Sequence, residues 1–227
     1  MRRSSLLAVS MLGIGCAVFG AVAVGAQEPP RFSAEGYRIS HYRSPTPATA
    51  PGARTLDTDG VRQLLATTPD TVLVDVYGRQ WLFGRFIDDQ PHANLPGSLW
   101  LANTGDGELE RRWARYFEHG LARATGGDTG RPLLFYCRSD CWLGWNAVKR
   151  ARSLGYERLY WYRDGIDGWQ QAGLPLVPAT PEPMIERIDD LRAPCSDQPH
   201  HNHNKEVNGD VQDPDCRRPS AVSRSHP

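Results

Sequence analysis

An α/β fold, a small parallel sheet with helices on both faces, is what this sequence predicts. Two observations carry it. Through the middle of the chain, β-branched or aromatic runs alternate with amphipathic stretches, and the joints between them are short. One such run, Pro132 to Tyr136, stops abruptly at a cysteine; a tight polar loop, Cys137-Arg138-Ser139-Asp140-Cys141, follows, and an amphipathic stretch from Leu143 to Leu154 begins behind it. Strand, loop and helix in that order leave unpaired backbone N–H groups and the positive end of a helix dipole at the loop. Such a cradle binds anions, and it lowers the pKa of a thiol placed in it.

The 227 residues allow one medium domain with appendages, or two very small ones. Seven tryptophans and an ordinary apolar share are enough to bury a core. The 26 basic and 26 acidic residues cancel, so nothing in the charge favours nucleic acid or an anionic membrane surface as a partner. The negative mean hydropathy argues against multiple membrane spans.

The elements follow in order. Arg2 and Arg3 precede an uncharged run, Leu6 to Val24, and Val24-Gly25-Ala26 supplies small residues before polar Gln27-Glu28-Pro29-Pro30. Residues 1–26 therefore read as a secretory signal peptide. That predicts a periplasmic or secreted protein with no stable membrane span after cleavage. A retained anchor and lipidation at Cys16 are the other readings of the run. Cleavage after Ala26 leaves Cys137, Cys141, Cys195 and Cys216, an even count that suits an oxidising compartment. Three connectivities are open to them; nearness in sequence favours Cys137 with Cys141 and Cys195 with Cys216.

Residues 27–54 are rich in Pro, Ala, Thr and Ser and read as an extended lead-in, with Tyr37, Ile39 and Tyr42 as candidates to pack on the domain. The folded domain is expected over 55–178. Asp57 or Thr58 caps a short helix with Val61, Leu64 and Leu65 on one face. Thr71 to Val76 is a β-branched run typical of a strand buried on both faces. Tyr77 to Pro96 reads as irregular, and Ser98 to Leu101 as a short strand. Glu108 to Thr125 is a helix whose Leu109, Trp113, Phe117 and Leu121 face the core. Arg158 to Tyr162 is a strand, and Ile166 to Ala172 a short helix capped by Gly173. Residues 179–227 form a polar tail, expected to be largely disordered apart from a short helix at Met184 to Leu191 and a Cys195–Cys216 link. No internal repeat is present. In parallel sheets, sites lie at the carboxyl ends of strands, and Cys137 sits at such an end.

From Cys137 onward, with Gly155-Tyr156, Trp161, Asp164-Gly165-Ile166, Gly168-Trp169 and Gly173-Leu174-Pro175, the chain resembles the rhodanese family. Val74-Asp75-Val76 looks like that family's first core strand, and Leu95-Pro96-Gly97-Ser98 like its Ile-Pro-Gly-Ala turn. The resemblance covers Leu56 to Pro178. It implies a catalytic cysteine, Cys137, that accepts sulfane sulfur as a persulfide, inside a loop running from Cys137 to Trp142. Arg138, Ser139, Asp140 and Trp142 are then the substrate-binding candidates. Two departures stand out: Asp140 replaces the usual loop glycine, and Trp142 the closing arginine that helps bind an anionic donor. A carboxylate near Cys137 opposes thiolate formation and repels a doubly charged donor, so efficient thiosulfate chemistry is not expected.

Cys141 is the gain. In an exported protein, Cys-x-x-x-Cys suggests a dithiol/disulfide couple, or a nucleophile with a resolving partner. With Trp142 and the lead-in Gly36-Tyr37-Arg38-Ile39-Ser40-His41-Tyr42-Arg43, the pattern resembles the CxxxCW-motif proteins associated with catabolism dependent on pyrroloquinoline quinone. That implies a periplasmic role beside a quinoprotein dehydrogenase system, or with a thiol partner protein, without implying that this chain binds the quinone. No cofactor and no metal are expected: two cysteines do not complete a zinc site, although His92 or His119 could approach in space. His200, His201 and His203 read as a solvated tail that could bind a metal weakly. Trp145 reads as core, and Asp140 equally as a cap of the following helix. Two functions stay open: sulfur transfer or thiol–disulfide chemistry at Cys137 and Cys141, or a non-catalytic accessory module in which their disulfide is structural and the surface around Trp142 contacts a partner.

Overall fold

The computed structural model describes residues 29–184. The signal-peptide run, Cys16, the Cys195–Cys216 link, the tail histidines and nearly all of the Met184–Leu191 helix lie outside the described residues. Among the described residues, no helix is long and apolar enough to cross a membrane.

Five parallel strands form the central sheet, in the order β1-β8-β7-β2-β6. β1 is Arg54–Leu56, β2 Val72–Asp75, β6 Leu99–Trp100, β7 Leu133–Tyr136 and β8 Leu159–Tyr162. β7 is central and buried along its whole length, as a strand covered on both faces must be. α2 (Arg111–Thr125) and α3 (Trp142–Ser153) pack against Val74, Leu133 and Phe135 on one face. α1 (Thr58–Thr67) and α4 (Gly165–Gln171) pack against Leu73, Leu134 and Tyr136 on the other. The side-chain alternation of β7 thus divides the two cores. Two small antiparallel pairs lie beside the sheet: β3 (Trp81–Leu82) with β4 (Arg85–Phe86), and β5 (Ala93–Asn94) with β9 (Val177–Pro178).

Local chemistry sets the helix ends. Asp57 caps α1 by accepting the Gly60 N–H at 2.8 Å. α2 closes on Gly126 at φ 66°, a left-handed conformation that glycine adopts without strain. It begins at Arg111, three residues after the expected start: Glu110 is the N-cap, its ψ of 152° outside the helical region, and has no side-chain cap bond; Leu109 still packs against the core from outside the helix. The expected irregular stretch from Tyr77 to Pro96 contains the β3–β4 hairpin, seated by Trp81 and Phe86 on Trp113 of α2 at ring-centroid distances of 5.5 and 6.0 Å.

The lead-in is tied to α3. Asn146, fully buried on that helix, accepts the Arg38 N–H at 2.9 Å and donates to the Arg38 and Gly105 carbonyls, each at 2.8 Å. A carboxamide opposite a backbone N–H and C=O reproduces a strand's pairing. The Arg38 guanidinium then packs against the Phe32 and Trp142 rings, 5.2 and 4.8 Å from their centroids. The Tyr42 hydroxyl accepts the Gly107 N–H at 3.0 Å. Residues 32–44 therefore form a strap across α3.

Asn146→Ala leaves the buried Arg38 backbone groups unpaired, so it should cost about 2–4 kcal/mol. A urea titration would measure this, and amide exchange should quicken first in residues 36–44. A loss below about 0.5 kcal/mol would mean that the strap is held elsewhere.

Candidate functional site

Past Tyr136 the chain leaves the sheet and turns into α3 through residues 137–141. Cys137 and Cys141 are joined by a disulfide, with their Cα atoms 6.2 Å apart. They are 2 % and 3 % exposed and belong to the α2/α3 core with Val76, Leu143 and Trp161. Cys141 is the N-cap residue of α3 in extended conformation, with no side-chain cap bond. Asp140 does not cap the helix. It is the turn residue, at φ 49°, which explains why a glycine also suits the position; aspartate tolerates that region better than most side chains.

The loop's donors and acceptors are met from three directions. From α4, the Asp167 carboxylate accepts the Ser139 N–H at 3.0 Å and the Ser139 hydroxyl at 2.8 Å. The same carboxylate accepts the Arg138 guanidinium at 2.7 Å through Nη2 and 3.0 Å through Nε. Burial pushes the Asp167 carboxyl up, but the bonds from Arg138 and Ser139 outweigh it and hold it below its ordinary value. From the strap, the Tyr42 carbonyl accepts the Trp142 N–H at 3.0 Å, the Ser44 N–H donates to the Asp140 carbonyl at 3.1 Å, and the Arg43 guanidinium donates to the Ser139 carbonyl at 2.6 Å. From the start of α4, the Ile166 N–H donates to the Cys137 carbonyl at 2.9 Å. Gly165 there holds φ 57°, and a Cβ would overlap the Cys137 and Arg138 backbone.

The structure therefore brings together Cys137, Cys141, Arg138, Ser139 and Asp140. Trp142 turns away under the strap: its indole N–H donates to the Ser44 hydroxyl at 3.0 Å, and its ring meets Phe32 and Trp145. It lies 8 % exposed, largely covered by the strap. Trp145 belongs to the core.

Beside the loop, at the carboxyl end of β2, opens a polar cleft of about 490 Å³. Arg138, Asp167, Tyr77 and His92 line it, together with Arg79, Gln80, Gln90 and Gln170. Fully buried Asp75 accepts from His92 Nε2 at 2.7 Å and from the Tyr77 N–H at 2.8 Å. Burial pushes the Asp75 carboxyl above its ordinary value, against the pull of those two donors. His119 is exposed on α2. Among the described residues, no cluster of three or more His, Cys, Asp or Glu could hold a metal ion.

Sequence reasoning missed the Asp167 contact and the Asp75–His92 pair. Asp167 lies in the short helix α4 with nothing to mark its aim at the loop. Asp75 and His92 are 17 residues apart, and only the oddity of a carboxylate inside an apolar strand could have flagged their pairing.

The profile of the rhodanese-like domain matches residues 58–172, a little over half of the chain. No curated protein matches the chain. Solved structures do. A polysulfide-sulfur transferase homodimer from Wolinella succinogenes is 22% identical over 56% of this chain and 79% of that one, with a TM-score of 0.38. An anaerobic ergothioneine biosynthesis enzyme from Chlorobium limicola, in complex with trimethyl histidine, is 20% identical over 56% of this chain, with a TM-score of 0.40; this chain covers 32% of that one. A rhodanese-like domain from an Anabaena protein is 16% identical over 70% of this chain and 97% of its own, with a TM-score of 0.38.

Two outcomes follow from the loop geometry. Gly165→Ala should destabilise the fold by about 2–4 kcal/mol, since strain at positive φ adds to the overlap with the loop backbone; thermal unfolding reads it. Asp167 has its pKa lowered in the folded protein, so its contribution is present above the unfolded carboxylate value, about 3.9, and is lost as pH falls through the lower folded value. Urea midpoints between about pH 5 and pH 2 should fall more steeply for the wild type than for Asp167→Asn. Parallel curves would show that the carboxylate is not held by the loop.

Proposed function

The chain belongs to the rhodanese-like domain family, and on that footing we propose that it handles sulfane sulfur through a dithiol/disulfide couple. Cys137 is the acceptor. Its thiolate takes one sulfur from a donor, and the donor leaves with one sulfur fewer. Cys141 is the resolving thiol. Its thiolate attacks the Cys137 sulfur of the persulfide, the terminal sulfur leaves as hydrosulfide, and the Cys137–Cys141 disulfide forms. Both cysteines are oxidised and the sulfane sulfur is reduced, so electrons balance. A thiol partner returns the disulfide to the dithiol.

The observation that carries this reading is the disulfide itself, closed across the loop to which the sequence resemblance assigns the sulfur-accepting cysteine. Position supports the division of labour. Cys141 is the N-cap of a 12-residue helix, whose dipole favours its thiolate. The loop is poorly suited to a doubly charged donor: Asp167 already holds the Ser139 N–H and Arg138, and the Tyr42 carbonyl holds the Trp142 N–H. Donors of low charge, such as a persulfide carried on another protein, fit better than thiosulfate.

We place this chemistry in the periplasm, accompanying a quinoprotein dehydrogenase system in catabolism dependent on pyrroloquinoline quinone. The support is the signal-peptide pattern of residues 1–26 and the resemblance carried by Cys137 to Trp142 and the Gly36–Arg43 lead-in. A second reading has its own support. Both cysteines are nearly sealed beneath the strap, as a purely structural clasp would be.

The reduced protein, given a polysulfide, separates the two. The expected result is release of one hydrosulfide per chain with closure of the disulfide, read by mass spectrometry after alkylation. Cys141→Ser should instead hold the extra sulfur on Cys137, and Cys137→Ser should take none. A disulfide that mild thiols never open, with no sulfur taken up after forced reduction, would establish the clasp instead.

A further inference from the structure

Arg43 is the strap residue paired with the disulfide. It stands opposite Cys141 in an antiparallel bridge. The hydrogen bonds of that bridge flank the pair: the Trp142 N–H donates to the Tyr42 carbonyl at 3.0 Å, and the Ser44 N–H to the Asp140 carbonyl at 3.1 Å. This is the non-hydrogen-bonded pairing of an antiparallel ladder. In it opposite Cα atoms come within about 4.5 Å, and both side chains leave from the same face. Cys141 sends its sulfur from that face to Cys137. The Arg43 side chain therefore starts beside the Cys141 side chain. Its Nη1 ends on the Ser139 carbonyl at 2.6 Å, at the middle residue of the ring that the disulfide closes.

The charge on Arg43 is not spent. Among the described residues it forms no ion pair, and its one hydrogen-bond partner is the neutral Ser139 carbonyl. The other cations near the loop are committed. Arg138 is neutralised by Asp167, and Arg38 donates to the Ser40 and His41 carbonyls while packing on the Trp142 ring. His41 turns to the Ser40 hydroxyl. Asp140, exposed in the turn, is the carboxylate nearest to Cys141 in the chain and opposes a negative sulfur. Around the cysteines, Trp142, Leu143 and Trp145 from α3, Trp161 from β8 and the rings of Tyr42 and Tyr77 complete the cluster. A guanidinium has five N–H donors, so holding Ser139 leaves others for a second acceptor on the same face.

Resting on the proposed dithiol/disulfide function, we propose that Arg43 is the cation that holds the Cys141 thiolate, and that it thereby makes the Cys137–Cys141 disulfide easier to reduce. When a thiolate of the reducing partner bonds to the Cys137 sulfur, the Cys137–Cys141 bond breaks. The electron pair leaves on the Cys141 sulfur, and the negative charge appears beside the guanidinium. A second thiol then resolves the mixed disulfide, so two thiols are oxidised for one disulfide reduced. In the sulfur-releasing direction the same thiolate is the resolving nucleophile, and Arg43 keeps it deprotonated. Charge and helix dipole act together on one sulfur, Cys141 being the N-cap of α3. The strap is then more than a cover, because it brings to the loop a cation that the loop lacks once Arg138 is paired.

Two measurements on the full chain test this, both read by mass spectrometry on the peptide that contains Cys141. Arg43→Gln keeps a donor for the Ser139 carbonyl and removes the charge; Arg43→Lys keeps the charge. The first measurement is the pH dependence of iodoacetamide alkylation of Cys141 in a Cys137→Ser background. Arg43→Gln should raise the apparent pKa of Cys141 by about one unit, the low end for an opposite charge at close range, and Arg43→Lys should stay near the parent. The second is the equilibrium of the couple with glutathione across pH. Above the pKa of Cys141, Arg43→Gln should hold the disulfide about tenfold more firmly, a potential about 30 mV more negative; below it the curves should converge. Equal pKa values in Arg43→Gln and its parent, a constant factor at every pH, or Arg43→Lys shifted as far as Arg43→Gln would overturn the role of the charge. The alkylation measurement does not need the couple, so its failure belongs to Arg43 alone. A wild-type disulfide that glutathione never opens would overturn the couple itself, which is a different result.

Discussion

Three residues, Arg138, Ser139 and Asp140, must turn the chain from the central strand into α3 inside a ring closed by the Cys137–Cys141 disulfide. So tight a turn cannot pair its own backbone groups, and much around it is arranged to pair them instead. Asp167 reaches over from α4, the strap supplies the Tyr42 carbonyl and Ser44 N–H, and Ile166 caps the Cys137 carbonyl. Removing side-chain bulk at Gly165 allows that last approach. The loop is therefore a junction between the sheet, two helices and the lead-in rather than an exposed appendage.

The same bonds decide what the loop attracts. A bare strand-to-helix turn is an anion receptor, because its N–H groups point outward at a positive helix end. Here a carboxylate and a carbonyl of the protein itself take the Ser139 and Trp142 N–H groups, and Arg138 is neutralised by Asp167. What remains at the loop is the sulfur pair, closed as a disulfide, and beside the loop lies the polar cleft.

The sequence made the sheet legible where burial writes itself into composition. Pro132 to Tyr136 and Thr71 to Val76 are runs that only a strand covered on both faces tolerates, and the structure has β7 and β2 there. Trp113, Phe117 and Leu121 recur every fourth residue and line the buried side of α2. Legibility failed where contacts are made by backbone or over long separations. β1 has three residues and no pattern. The strap, residues 32–44, carries no helical or strand periodicity and reads as loop, yet Asn146 holds it from 108 residues away. The β3–β4 hairpin escaped because Phe83 occupies φ 52° at its turn, where sequence rules look for Asn or Gly. In the site, the two cysteines are conspicuous by type and spacing, whereas Asp167, Asp75 and His92 act through a geometry that only the folded chain creates.

The strand order also constrains how this molecule is made. β1 is the first strand of the sheet in sequence, yet its neighbour is β8, the last of the five. A segment emerging early must wait for one more than a hundred residues later before its hydrogen bonds can form, a long-range closure that slows folding. The strap waits as well, since Asn146 lies beyond β7. The two cysteines, four residues apart, need no such delay. Under oxidising conditions so short a covalent ring can close while the sheet is still incomplete, because its closure needs none of the long-range pairings that the sheet and strap require.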